Sequence, residues 1–174
     1  VGFKVFDVRP GSSTPSQSRL SITPRSLENA RYTVRIDANG DIASVFDRDA
    51  RHELLGAPVR LEMRDDPSPD KPAWRILWET VSAPVREYVS RPTIRIVENG
   101  PVRVALEITR QAAGSTIVQK LTLVEGGDRL DVEHNIDWKS TNTLLKAAFP
   151  FAASNPKATY DLGLGTISRG NETP

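Results

Sequence analysis

The chain has 174 residues, 38% of them hydrophobic and 26% charged, which suits one soluble globular domain and is short for two. Lys and Arg number 23 against 22 Asp and Glu, a net charge of +1, and no basic block supplies the field that would attract nucleic acid or an anionic membrane. No apolar run approaches the length of about 18 residues that suggests a spanning helix, and no signal-peptide pattern occurs.

In chain order, VGFKVFDV (1–8) reads as a strand from a neighbouring unit, and the Pro/Ser-rich PGSSTPSQS (10–18) reads as a linker. The only methionine is Met63 and the last residues, RGNETP, supply no closing element, so an excised or processed domain is expected. From residue 19 onward, alternation with period two dominates, as in half-buried antiparallel strands. In RYTVRID, Tyr32, Val34 and Ile36 share a face. Asn39-Gly40 follows and leads into DIASVF, a hairpin signal because such a turn needs positive φ.

The device recurs. TIRIV passes through ENG into PVRVALEITR, where Val102, Val104, Leu106 and Ile108 share parity. STIVQKLTLV turns at EGGD into RLDVEHNID, with Leu130, Val132, His134 and Ile136 on one side. Further strands are expected over 58–63, 73–78, 143–149 and 158–165. No stretch carries convincing helical periodicity, and Pro150 and Pro156 discourage one near the end. The expected fold is all-β, a large antiparallel sandwich with little or no helix.

Candidate sites are few. Cysteine is absent, which excludes disulfides and thiolate metal sites and leaves the compartment open. Asp131, Glu133, Asn135 and Asp137 line one strand face, but alternate residues on a strand lie about 6.6–6.8 Å apart, too far for more than two to converge on one ion. A solvated or domain-covered strand face is the better reading. His52 and His134 are the only histidines; His52 reads as a loop residue and His134 as a satisfied core or edge histidine. Trp74 and Trp78, with Ile76 between them on the same face of AWRILW, could stack sugar rings; the Ile favours a buried face or a domain contact. Neither a phosphate loop nor a nucleophile elbow is present. The residues alone select no catalytic group and no metal site.

Four segments carry a resemblance. LENARYTVRIDANGDIASVFDRDARHELL (27–55) resembles the opening of the large carboxy-terminal β domain of glycoside hydrolase family 38 α-mannosidases. DVEHNIDWKSTNTLLKAAFPF (131–151) and ATYDLGLGTISRGNET (158–173) are similar to later parts of that domain, and VGFKVFDV to the last strand of the small β unit before it. The resemblance implies residues 1–9 as that last strand, 10–18 as a linker, and 19–174 as a galactose-mutarotase-like supersandwich whose carboxy-terminal part is truncated. It implies an accessory role: packing on the catalytic domain of the same polypeptide, with a rim of the cleft for mannose-containing carbohydrate. The parent chemistry would be retaining hydrolysis, which needs two carboxyls about 5–5.5 Å apart. Its zinc and catalytic carboxylates would lie upstream, so no cofactor is expected in this segment and the isolated domain is expected to be inactive. The alternative is a stand-alone sugar-binding sandwich.

Within the matched segments, Ile136 and Trp138 are expected to continue the core face and KSTNT to form a turn. Lys146, awkward in a strand, is expected to reach solvent or pair with Asp137. Arg169 and Asn171, in the last loop, are the candidates for facing the cleft, with Lys146 and Asp137 as further cleft candidates.

Overall fold

The structure is a computed structural model and describes residues 2–7, 18–67, 70–71 and 74–171. Among the described residues it is all-β apart from one five-residue helix. A four-stranded antiparallel sheet runs β11(Asp131–Asp137), β10(Ser115–Val124), β9(Arg103–Ala112), β8(Thr93–Asn99). A five-stranded sheet runs β1(Ser21–Thr23), β2(Ser26–Glu28), β3(Tyr32–Ile36), β4(Ile42–Asp47), β5(His52–Glu53). A three-stranded sheet holds β12(Thr143–Ala148), β6(Arg60–Asp65) and β7(Glu87–Tyr88), and β13(Lys157–Asp161) pairs with β14(Thr166–Gly170) as a separate hairpin.

The long hairpins form where the alternation predicts them. In β9, Val104, Leu106 and Ile108 are fully buried, and across the ladder Ile117, Leu121 and Leu123 of β10 share their face. One end of this face meets Leu27, Val34, Ile36, Ile42 and Leu55 of the five-stranded layer. The other end, at Ala112 and Ile117, meets Leu61, Met63 and Val89 of the three-stranded sheet. The Ile42↔Val59 bridge joins the two covering sheets into one layer. The architecture is therefore a sandwich with a seam in its second layer. Burying a side chain of this kind contributes about 1.5–3 kcal/mol, so these residues hold the layers together.

Several expectations are corrected. Of the strand expected over 73–78, the described residues 74–78 form none: Trp74 N–H donates to the Lys71 carbonyl at 2.9 Å in a turn, and α1(Trp78–Ser82) follows. Arg64 of β6 fastens α1 by donating to the carbonyls of Val81, at 2.9 Å, and Ala83. Residues 158–165 enclose a turn between β13 and β14 instead of running as one strand. The described residues 2–7 make no strand, while most of the expected linker, 10–17, lies outside the described residues. The segment 138–142 is the turn expected of KSTNT, but β12 pairs with β6 and so leaves the sheet of β11. Val102 (67% exposed) lies outside β9 and does not share the burial of its parity mates.

Candidate functional site

The residues nominated from sequence do not converge. Asp137 ends β11 and pairs with Lys139 at 2.9 Å. Lys146 is not its partner: it lies directly opposite Glu62 on β6, with Nζ 3.7 Å from Oε2, because strand pairing fixes its neighbour. Arg169 is on strand β14 and not in a loop, opposite Ala158 and exposed. Asn171 follows that strand and donates to the Asn155 carbonyl at 2.6 Å. Trp74 is 91% exposed at a turn and Trp78 begins α1, so the two rings do not share a strand face. Ile136 and Trp138 are exposed. Ile136 lines, with His134, Leu61, Leu145 and Ala147, a cavity of about 190 Å³ between β11 and the three-stranded sheet. The acidic row on β11 is solvated: Asp131 pairs with Arg129 at 2.9 Å and Glu133 approaches Lys120 at 3.9 Å.

A polar chain at the seam went unnominated. Arg110 stands on the inner face of β9 between Ile108 and Ala112, only 1% exposed. Its guanidinium donates to the carbonyls of Asn39, at 3.2 Å, and Gly40, and to Gln119 Oε1 at 3.2 Å; Asp41 Oδ1 lies 3.4 Å away. Gln119 Nε2 in turn meets His134 Nε2 at 3.1 Å. Burial depresses the pKa of His134, and the Arg110 charge depresses it further, which favours the neutral ring. His134 is thus the satisfied edge histidine expected. The turn that Arg110 grips needs its glycine: Gly40 has φ +78°, and a Cβ there would stand 2.8–2.9 Å from Arg110, Ile108 and Pro92. One sequence signal marks this chain, an arginine at the parity of a buried face.

Asp41 and Asp47 flank the interior of β4 and are equally hidden, 4% and 3% exposed. Asp47 takes Arg31 at 3.0 and 3.2 Å and the backbone N–H groups of Asp49 and Ala50 at 3.0 Å each. Those N–H groups, Ala50 foremost, and Arg31 hold its pKa down. Among the described residues, Asp41 has only Arg110 at 3.4 Å and, on Oδ2, Arg60 Nε at 3.5 Å. Burial pushes its pKa up to about 6 against the pull of Arg110. Asp41 opens on a cavity of about 270 Å³ lined by Asn39, Arg60, Tyr88, Val89 and Ser90. The Arg60 guanidinium lies 5.0 Å from the centre of the Tyr88 ring.

Among the described residues, no group of three or more His, Cys, Asp or Glu side chains could hold a metal ion. No helix among the described residues is long and apolar enough to cross a membrane.

A two-layer β domain with a polar seam is the class these features define. The chain belongs to the glycosyl hydrolases family 38 C-terminal domain, whose model matches residues 27–174. It is 24% identical over 152 residues to alpha-mannosidase G of Dictyostelium discoideum, covering 82% of this chain and 14% of that protein. Its fold is similar to that of an alpha-mannosidase from Enterococcus faecalis V583, with a TM-score of 0.67 and 14% identity, covering 92% of this chain and 21% of the other. The chain therefore spans a small part of the length of these relatives.

Proposed function

We propose that this domain serves as an accessory β-sandwich of a zinc-dependent retaining α-mannosidase, packing on a catalytic domain of the same polypeptide and contributing a rim to its cleft for mannose-containing carbohydrate. The observation that carries this reading is the family match across residues 27–174, on a chain that spans 14% of one α-mannosidase and 21% of another. The exposed apolar residues fit a surface that packs elsewhere, since contiguous apolar patches on a domain mark interaction faces. Tyr160, Leu162 and Leu164 crowd the β13–β14 hairpin, and Phe149 and Phe151 stack 6.3 Å apart beside it in sequence. Arg169, on the same hairpin, is the cleft-facing candidate in this reading, followed by Asn171.

Sequencing the coding region upstream of Val1 tests the proposal. An in-frame zinc-binding glycosidase domain supports it, and a reading frame without one overturns it.

A further inference from the structure

We propose that the cavity at the seam, between Asp41, Arg60 and Tyr88, is a binding site for a neutral pyranose, recognised through vicinal hydroxyls. The site lies apart from the β13–β14 hairpin and requires no catalytic group.

The first ground is the state of Asp41. A native protein rarely hides a carboxylate without strong hydrogen bonds, and an exception calls for an explanation. Within this chain the ordinary solution is visible at Asp47, with contacts of 3.0–3.2 Å, and at Glu53, whose carboxylate takes Ser44 Oγ at 2.5 Å and the N–H groups of Val45 and Leu55 at 2.8 and 3.0 Å. Among the described residues Asp41 receives nothing nearer than 3.4 Å, although it borders open space. A carboxylate has about four acceptor positions. Arg110 and Arg60 approach one oxygen each, and two adjacent hydroxyls donating to Asp41 would take the other two positions without adding charge.

The second ground is what surrounds it. Arg60 can donate to ring or hydroxyl oxygens, and Ser90 and Asn39 make no side-chain hydrogen bond among the described residues. Tyr88 is half-exposed; Arg60 covers one face of its ring, which leaves the other as a wall for the C–H face of a sugar. Volume fits as well: about 270 Å³ is at the small end of ligand pockets, suited to one ring and not to a chain of them. The mouth carries one carboxylate and one guanidinium, so an anion would meet Asp41 and a cation would meet Arg60. A neutral polyol meets neither penalty.

The accessory reading above supplies only the choice of sugar for the test. Amide NMR of the 174-residue chain, titrated with methyl α-D-mannopyranoside, reads the site directly. Saturable shifts at Asn39, Asp41, Tyr88 and Ser90 are expected, with affinity reduced about tenfold or more in Tyr88→Ala and in Arg60→Ala, as loss of a wall or of charged hydrogen bonds implies. Trp74→Ala should bind as the parent does. Asp41→Asn is the more radical change and is read only if its spectrum stays folded; the two exposed-wall variants carry the test without it. No saturable shifts, shifts unaffected by both wall variants, shifts lost in Trp74→Ala, or the same shifts produced by inorganic phosphate would each overturn the proposal. Its failure would leave the accessory reading intact, because that reading stands on the upstream sequence and not on this cavity.

Discussion

Gln119 fixes the protonation of His134. Arg110 can only donate, so the oxygen of the Gln119 amide faces Arg110 and its nitrogen faces the ring. That nitrogen can only donate too. His134 Nε2 must therefore accept, which makes the ring neutral with its proton on Nδ1. A protonated ring would present a donor to a donor, and turning the amide to oblige it would break the bond to Arg110.

The first prediction concerns that ring. Nitrogen NMR should show His134 as the neutral Nδ1–H tautomer at pH 7. Because its folded pKa is depressed below the ordinary value of 6.5, the unfolded chain takes up a proton first as pH falls. Stability contributed by His134 is present above pH 6.5 and lost as pH drops through its folded pKa. Urea denaturation at pH 7.5 and pH 5 should show the parent losing stability relative to His134→Asn, a comparison in which the opposing contribution of Asp41 cancels. An unchanged pH dependence in that variant would contradict the assignment.

Asp41 predicts a slope of opposite sign. Its folded pKa is raised from 3.8 to about 6. Its contribution is therefore fully present below pH 3.8 and is lost as pH rises through about 6. The shift is roughly two units, and each unit is about 1.4 kcal/mol. Relative to Asp41→Asn, the parent should gain on the order of 3 kcal/mol in going from pH 7 to below pH 4. Equal behaviour of the two proteins across that window would show that the carboxylate is not strained.

Arg110 should be the most sensitive polar residue of the seam. Arg110→Met strips the carbonyls of Asn39 and Gly40, Gln119 Oε1 and Asp41 of their shared donor. Removing one partner of a buried ionic cluster costs about 3–5 kcal/mol. Lys146→Met, which removes a half-exposed ion pair with Glu62, should cost about 1 kcal/mol or less. Chemical denaturation of the two variants compares them directly.

Gly40→Ala tests the grip on the turn. The substitution forces a left-handed residue with a Cβ against Arg110, Ile108 and Pro92. A loss of more than about 1 kcal/mol is expected, whereas Gly2→Ala, where nothing lies within 4 Å, should be neutral.

Much of the architecture was legible because β3, β4, β9, β10 and β11 run long enough for alternation to show. β1, β2, β5 and β7 span only two or three residues, less than the pattern needs. Trp74, Ile76 and Trp78 imitate a strand face, yet the chain there turns on Lys71 and enters a helix, and periodicity cannot see that hydrogen bond. The site was less legible. Asp41 follows Asn39-Gly40 and so reads as an ordinary turn residue. Its character depends on Arg60, Tyr88 and Arg110, which the fold brings from elsewhere in the chain. Lys146 shows the same limit: alternation placed it on the correct strand, but its partner Glu62 is set by the β12–β6 register.

In the proposed function, this domain supports catalysis carried by other residues. Incubating the purified chain with a chromogenic α-mannoside and added zinc measures it most directly. No turnover above the zinc-only blank is predicted, while sustained hydrolysis that scales with the amount of this chain would contradict the claim.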